Sequence, residues 1–90
     1  MTYRRNPAVV FHQVDDRVMM MNPDRAEFVT LSPTGAAVWH ALAEPGTAQD
    51  IVERIQPDWP EADPQRMRAD IDAFLQNLEE AGAIVRQHAP

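Results

Sequence analysis

The chain contains no cysteine and no lysine, and its glycines are isolated at Gly35, Gly46 and Gly82. The absence of cysteine excludes disulfides, thiolate nucleophiles and zinc sites built on paired cysteines. Isolated glycines exclude a glycine-rich phosphate-binding loop. No apolar run is long enough for a signal peptide or a membrane span, so we expect a cytoplasmic protein with no membrane partner.

Charge is unevenly distributed along the chain. The net charge is −6, and since acids and arginines cancel within residues 1–32, the whole imbalance lies in residues 33–90. Proteins that bind nucleic acid present clustered Lys and Arg to the phosphates, and here the arginines are dispersed. This distribution argues against nucleic acid as a partner. The hydrophobic share of 44% is that of a folded domain.

Side chains that carry chemistry do not converge in the sequence. His12, His40 and His88 include no pair at helical spacing, so they predict no metal site. Asp70 and Asp72 are two residues apart and point to different sides of a helix, which is typical of a solvated rim rather than a carboxylate pair. We therefore predict no catalytic residues, no metal and no cofactor.

The first third of the chain predicts three strands in meander order. Val9 to Val14 roughly alternate in polarity, and Val18 to Met21 form an apolar run typical of a central strand. Asp15-Asp16 provide the first turn, and Asn22-Pro23-Asp24-Arg25 provide the second, which returns the chain into Glu27 to Leu31.

Three helices are predicted after these strands. Ser32 is a good N-cap and Pro33 suits the first helical position, so the first helix is expected over residues 33–43. Thr47 and Asp50 resemble a capping box for a second helix that stops before Pro57.

After a proline-rich loop over Pro57 to Pro64, a third helix is predicted through to Ala81, because apolar residues recur from Met67 onward at helical spacing. Gly82 fits the left-handed position after a helix, and Ala83 to Val85 form either a short strand or a packed tail. Residues 88–90 are expected to fray. The predicted class is α+β, with a three-stranded antiparallel sheet followed by three helices.

The junction of the third strand with the first helix is the most distinctive pattern. Glu27 to Leu31 run into Ser32-Pro33 with no linker, and the meander leaves this strand at an edge. An edge strand beside an apolar helix surface is what strand addition by an extended peptide requires.

Three segments together carry a family resemblance: "FVTLSPTGAAVWHAL", then Pro45-Gly46-Thr47 with "AQDIVERI", then "MRADIDAFLQNLEEAGAIV". They resemble the PqqD-like family, whose members are called RiPP recognition elements. The matching positions cover nearly the whole chain: Leu31, Ser32, Thr34, Gly35, Val38, Trp39, Asp70, Ile71, Phe74, Leu75, Leu78, Gly82, Ile84 and Val85.

The resemblance implies one winged-helix-like domain over residues 1–90, with an ordered core from about residue 7 to 86. It implies a non-catalytic protein that binds the leader segment of a ribosomally made precursor peptide and delivers it to a maturation enzyme such as a protease, cyclase or radical SAM enzyme. The resemblance places the peptide beside the third strand, at Glu27, Phe28, Val29, Thr30 and Leu31, and against the third helix. A helical wheel, on which Arg68 and Asp72 flank the apolar stripe on the Leu75 side, selects the helix residues: Met67, Arg68, Ile71, Asp72 and Leu75.

One departure from the family pattern bears on the pathway. Proteins of pyrroloquinoline quinone biosynthesis tend to carry Tyr-Pro-Glu-Gly before the third strand, where this chain has Met21-Asn22-Pro23-Asp24-Arg25-Ala26. The difference favours a stand-alone leader binder, such as those of lasso peptides.

The rival interpretation is a winged-helix regulator that binds DNA. Residues 63–82 hold two arginines against five acids, a net of −3, which is the wrong charge for a recognition helix. An exposed edge strand also suits pairing with a second copy, so a homodimer is a further possible partner arrangement.

Overall fold

A computed structural model describes residues 1–87 of the chain. Their order is four strands, three helices and a final strand, which confirms the α+β class. The strands are β1 (Thr2–Arg5), β2 (Val10–Val14), β3 (Arg17–Asn22), β4 (Glu27–Leu31) and β5 (Ile84–Gln87). The helices are α1 (Pro33–Ala41), α2 (Ala48–Ile55) and α3 (Pro64–Glu80), with a 3₁₀ turn at Gln56–Asp58. The predicted fraying of residues 88–90 lies outside the described residues.

The predicted meander is the main sheet, in which β3 pairs with β2 on one side and with β4 on the other, both antiparallel. Met20 at the centre of β3 lies opposite Phe11 of β2 and Val29 of β4. Side chains alternate along β3, so that Val18, Met20 and Asn22 are buried against the helices. The uninterrupted register gives the sheet one covered face and one outer face.

A second sheet of two strands joins the ends of the chain. β1 pairs antiparallel with β5, and Tyr3 also bridges to Gly46 through hydrogen bonds in both directions. No strand is predicted before residue 7, so β1 is a finding of the structure. The segment after Gly82, which was predicted to be either a short strand or a packed tail, contains strand β5.

Each helix begins with a side-chain cap. Ser32 Oγ accepts from the Gly35 amide, and Thr47 and Asp50 form the predicted capping box. The backbone N–H of Thr47 donates to Asp50, which lowers the pKa of that carboxyl below its ordinary value. Asp63 caps α3, so this helix begins three residues before Met67, where its apolar spacing becomes visible.

Trp39 of α1 is at the centre of the core, with 1% of its surface exposed. The Phe11 ring meets it edge to face at a centroid distance of 5.3 Å. The Arg5 guanidinium lies 4.6 Å from the Trp39 ring centroid and 4.9 Å from that of Phe11. Arg5 also donates to the Trp39 carbonyl, and its partial burial lowers its pKa. One arginine thereby ties β1 to the end of α1.

Two substitutions of Trp39 should lower the free energy of unfolding by different amounts. Its indole Nε1 is buried with no acceptor among residues 1–87, so Trp39→Phe loses packing volume but no hydrogen bond. Trp39→Ala should lower the free energy of unfolding by about 3–5 kcal/mol, as expected for loss of a large buried aromatic side chain. Urea denaturation should show a clearly smaller loss for Trp39→Phe. Equal losses would mean that the indole N–H has a partner after all.

Candidate functional site

β4 is an edge strand whose outer side is open. Within residues 1–87 it pairs only with β3. Along its length Glu27, Phe28 and Thr30 are exposed, Val29 is half-buried and Leu31 is buried. In an antiparallel edge strand, alternate residues direct their backbone N–H and C=O groups away from the sheet. β4 therefore presents unpaired main-chain donors and acceptors to any extended segment beside it.

An apolar groove lies at the α1 end of β4. It has a volume of about 620 Å³ and is bounded by the start of α1, the outer side of α3 and the segment from the 3₁₀ turn to Asp63. We call it the α1/α3 groove. Its apolar lining comprises Val38, Ile55, Trp59, Ala62, Met67, Ile71 and Phe74. Its size and composition suit one or two apolar side chains.

The close approach of α1 and α3 depends on a glycine. A Cβ atom at Gly35 would lie 2.9 Å from Cζ of Phe74, closer than two carbon atoms can pack. Gly35 is held in the first turn of α1 by the Ser32 cap, with an N–O distance of 3.3 Å. The same residue that starts the helix after β4 thus makes room for an aromatic wall of the α1/α3 groove.

The other end of β4 is fixed to α3 by its turn. Nδ2 of Asn22 donates to the carbonyls of Ala81 and Gly82, and Oδ1 of Asn22 accepts from the Asp24 amide. Arg25 donates to the Glu80 carbonyl at 2.6 Å. Carbonyls left free at the end of a helix need such donors. The β3–β4 turn therefore docks on the C-terminus of α3, while β4 enters α1 at its opposite end.

The structure separates the predicted helix residues into three groups. Met67 and Ile71 line the α1/α3 groove. Leu75 is 0% exposed and belongs to the core. Arg68 and Asp72 form an ion pair with an N–O distance of 3.3 Å, and Arg68 also donates to Gln49 of α2. These two charged residues lie on the flank of α3 that faces α2, away from the groove.

The groove contains residues that were not predicted to take part. Phe74, Asp70 and Arg66 come from the other flank of α3, and Trp59 directly follows the 3₁₀ turn. Helical spacing alone places Phe74 beside the buried stripe but gives no reason to prefer its flank to that of Arg68. Trp59, a half-buried aromatic in a loop rich in proline, is the signal in the sequence that points to this side.

The rim of the groove is acidic, with Glu61, Asp63 and Asp70 against Arg66. Within residues 1–87, no three His, Cys, Asp or Glu side chains are grouped so as to hold a metal ion. In the same range, no helix combines the length and the apolar character that crossing a membrane requires.

These elements define a class of protein: a small α+β domain with an open edge strand held beside an apolar groove. The sequence profile described as coenzyme PQQ synthesis protein D (PqqD) matches residues 17–84, well over half of the chain. The chain belongs to the PqqD family. The expected family is confirmed, and the matched residues extend from β3 to the start of β5.

Two solved structures share the fold over almost their whole length. TbiB1 in complex with the TbiA(beta) leader peptide is 22% identical, with a TM-score of 0.85 over 96% of this chain and 99% of the other. A lasso peptide synthetase B1 complexed with the leader peptide is 20% identical, with a TM-score of 0.77 over 93% and 98%. None of the curated proteins compared with the chain matches it.

The contact between Gly35 and Phe74 predicts that substitutions of these two residues have non-additive effects on the free energy of unfolding. In a Phe74→Ala background, Gly35→Ala should stabilise the chain by roughly 0.5–1 kcal/mol, because alanine favours the helix and the clash is gone. In the original chain the same change displaces the Phe74 ring and should yield little or no gain. Urea denaturation of the four proteins measures the difference. A full gain in both backgrounds would show that the ring is not held against α1.

Proposed function

We propose that the chain binds the leader segment of a ribosomally synthesised precursor peptide by strand addition to β4 and delivers it to a maturation enzyme. The bound leader would pair its main chain with the open side of β4 and place an apolar side chain in the α1/α3 groove. Main-chain pairing supplies affinity, and the pocket supplies selectivity.

The observation that carries this proposal is the rigid placement of the open edge beside the groove. β4 is held at its first residues by the Asn22 and Arg25 contacts with the end of α3. It is held at its last residues by the burial of Leu31 and the Ser32 cap. An edge and a pocket that are already in position reduce the ordering cost of binding a flexible peptide.

The two solved structures with the same fold support this assignment, because both contain a leader peptide. Their partners favour a lasso peptide precursor for this chain over a precursor of pyrroloquinoline quinone. The Met21 to Ala26 segment favours the same choice, since it lacks the Tyr-Pro-Glu-Gly pattern.

The proposed role is non-catalytic, and the maturation enzyme, such as a protease, cyclase or radical SAM enzyme, performs the chemistry. The hydroxyl of Ser32, the one serine in the sequence, caps α1. The remaining groove surface is chiefly apolar, which suits binding. Ribosomes make the precursor in the cytoplasm, so the proposed function places the chain there.

The peptide specificity of binding can be tested with any short precursor peptide that is encoded near the gene for this chain. Fluorescence titration should give a Kd below roughly ten micromolar, a range that one edge strand and one apolar pocket can supply. Deleting the core segment should leave the Kd unchanged, and deleting the leader should abolish binding. Duplex DNA serves as the control ligand, and the acidic surface should give no salt-sensitive binding. Failure of every co-encoded leader would refute the proposal.

Strand addition predicts selective protection of backbone amides. Outward N–H groups of β4 should exchange with solvent rapidly in the free chain. At peptide concentrations of a hundred times Kd they should slow by about 100-fold, because exchange then requires dissociation. β2 is the matched control, since it is the other edge of the same sheet. Binding that protects β2 instead of β4, or neither edge, would contradict the proposed mode.

A further inference from the structure

The outer face of the main sheet carries an apolar row that ends at the open edge. Phe28 of β4 lies opposite Met21 of β3, and Met21 lies opposite Val10 of β2. Phe28 is 73% exposed, the highest value among the large apolar side chains, and Val10 is 51% exposed. We call these three residues the outer row.

The neighbouring positions give this face an unusual composition for an acidic chain. Val14 and Met19 lie on the same face and are also exposed, at 46% and 43%. The other strand residues that share the face by alternation are His12, Arg17 and Thr30. None of the strand residues on this face is a carboxylate, although the net charge of the chain is −6.

The size of the face limits what can cover it. Strands about 4.8 Å apart and about five residues long give a footprint of roughly 250 Å². A stable protein interface buries about 800 Å² on each partner. The outer face is therefore too small to hold a second copy by itself, and it suits an occupant that is already held nearby.

A strand added to β4 brings such an occupant. Its side chains alternate between the two faces of the sheet, so every second one projects beside Phe28 or Thr30. Side chains directly opposite on paired strands approach within about 5 Å and interact. Phe28 has a neighbour of this kind on the β3 side, Met21, and none among the described residues on the open side.

We infer that the peptide is recognised on both faces of the sheet, with an apolar or aromatic side chain of the added strand packing on Phe28 as a fourth member of the outer row. This inference rests on the proposed strand addition and adds a second specificity position to it. The peptide residue that enters the α1/α3 groove and the peptide residue that packs on Phe28 are then separated by an odd number of positions, because they point to opposite faces of the sheet. Phe28 is a specificity-determining residue that the α1/α3 groove does not include.

The test uses random 12-residue peptides displayed on phage, selected on the full chain. The strongest binder whose addition protects β4 amides is synthesised, together with variants in which each apolar residue is replaced by serine. Affinities are measured against the original chain, Phe28→Ala and Val14→Ala. Val14 is the matched control, because it is an exposed apolar residue of the same face that lies two strands across and four residues along from Phe28, about 16 Å away.

Phe28→Ala should weaken the selected peptide about three- to fivefold, the range of a good cross-strand aromatic pair. The peptide variant in which serine replaces the residue that packs on Phe28 should bind the original chain and Phe28→Ala equally. That residue should lie at an odd separation from the peptide residue that enters the groove. Val14→Ala should leave every affinity within about 1.5-fold, well below the loss expected for Phe28→Ala. If Phe28→Ala does not fold, the serine variants on the original chain still test the odd separation, because two apolar peptide positions separated in this way should each lose affinity when replaced.

Two other results would overturn the inference and leave the proposed function intact. One is a peptide that protects β4 and binds Phe28→Ala as tightly as the original chain. The other is a free chain that dimerises in sedimentation, with Phe28→Ala monomeric and unchanged in peptide affinity, which would assign the outer row to a second copy. A library with no binder at β4 would refute strand addition itself and the inference with it.

Discussion

The direct connection of β4 to α1 is the constraint on which the rest of the structure depends. Leu31 is buried and the next residue, Ser32, already caps the helix, so no flexible residue separates strand from helix. The direction of α1 therefore fixes the direction of the edge. Trp39, two turns further along α1, anchors that helix in the core against Phe11 and Arg5. A rigid edge follows from one capped junction and one buried aromatic residue.

α3 completes the site because it meets this unit at two points. Asn22 and Arg25 hold the β3–β4 turn on its last carbonyls, and Gly35 admits Phe74 against the start of α1. The α1/α3 groove begins at Phe74 and follows the N-terminal half of α3, away from the turn contacts. Few groups need to move to accept an extended peptide, which is the physical basis for proposing strand addition to a preformed edge. The outer row lies on the reverse side of the same edge and extends the possible contacts of such a peptide.

Residues with local causes were predicted well. Ser32, Thr47 and Asp50 cap helices through neighbours a few positions away, and the bounds of β4 agree with the structure. Arg68 and Asp72 show where this reasoning ends. They border the apolar stripe of α3 as closely as Phe74 and Asp70 do, but α2 covers one flank and leaves the other open. A helical wheel contains no information on which flank a neighbouring helix will occupy.

Elements with local causes could be predicted before the fold was known: the meander, the capped helices, the apolar stripe of α3 and the strand that enters a helix without a linker. These follow from side-chain periodicity and from turn and cap chemistry over a few residues. The pairing of β1 with β5 and the position of the groove became apparent only in the folded chain. Both depend on contacts between segments far apart in the sequence, which no local pattern encodes.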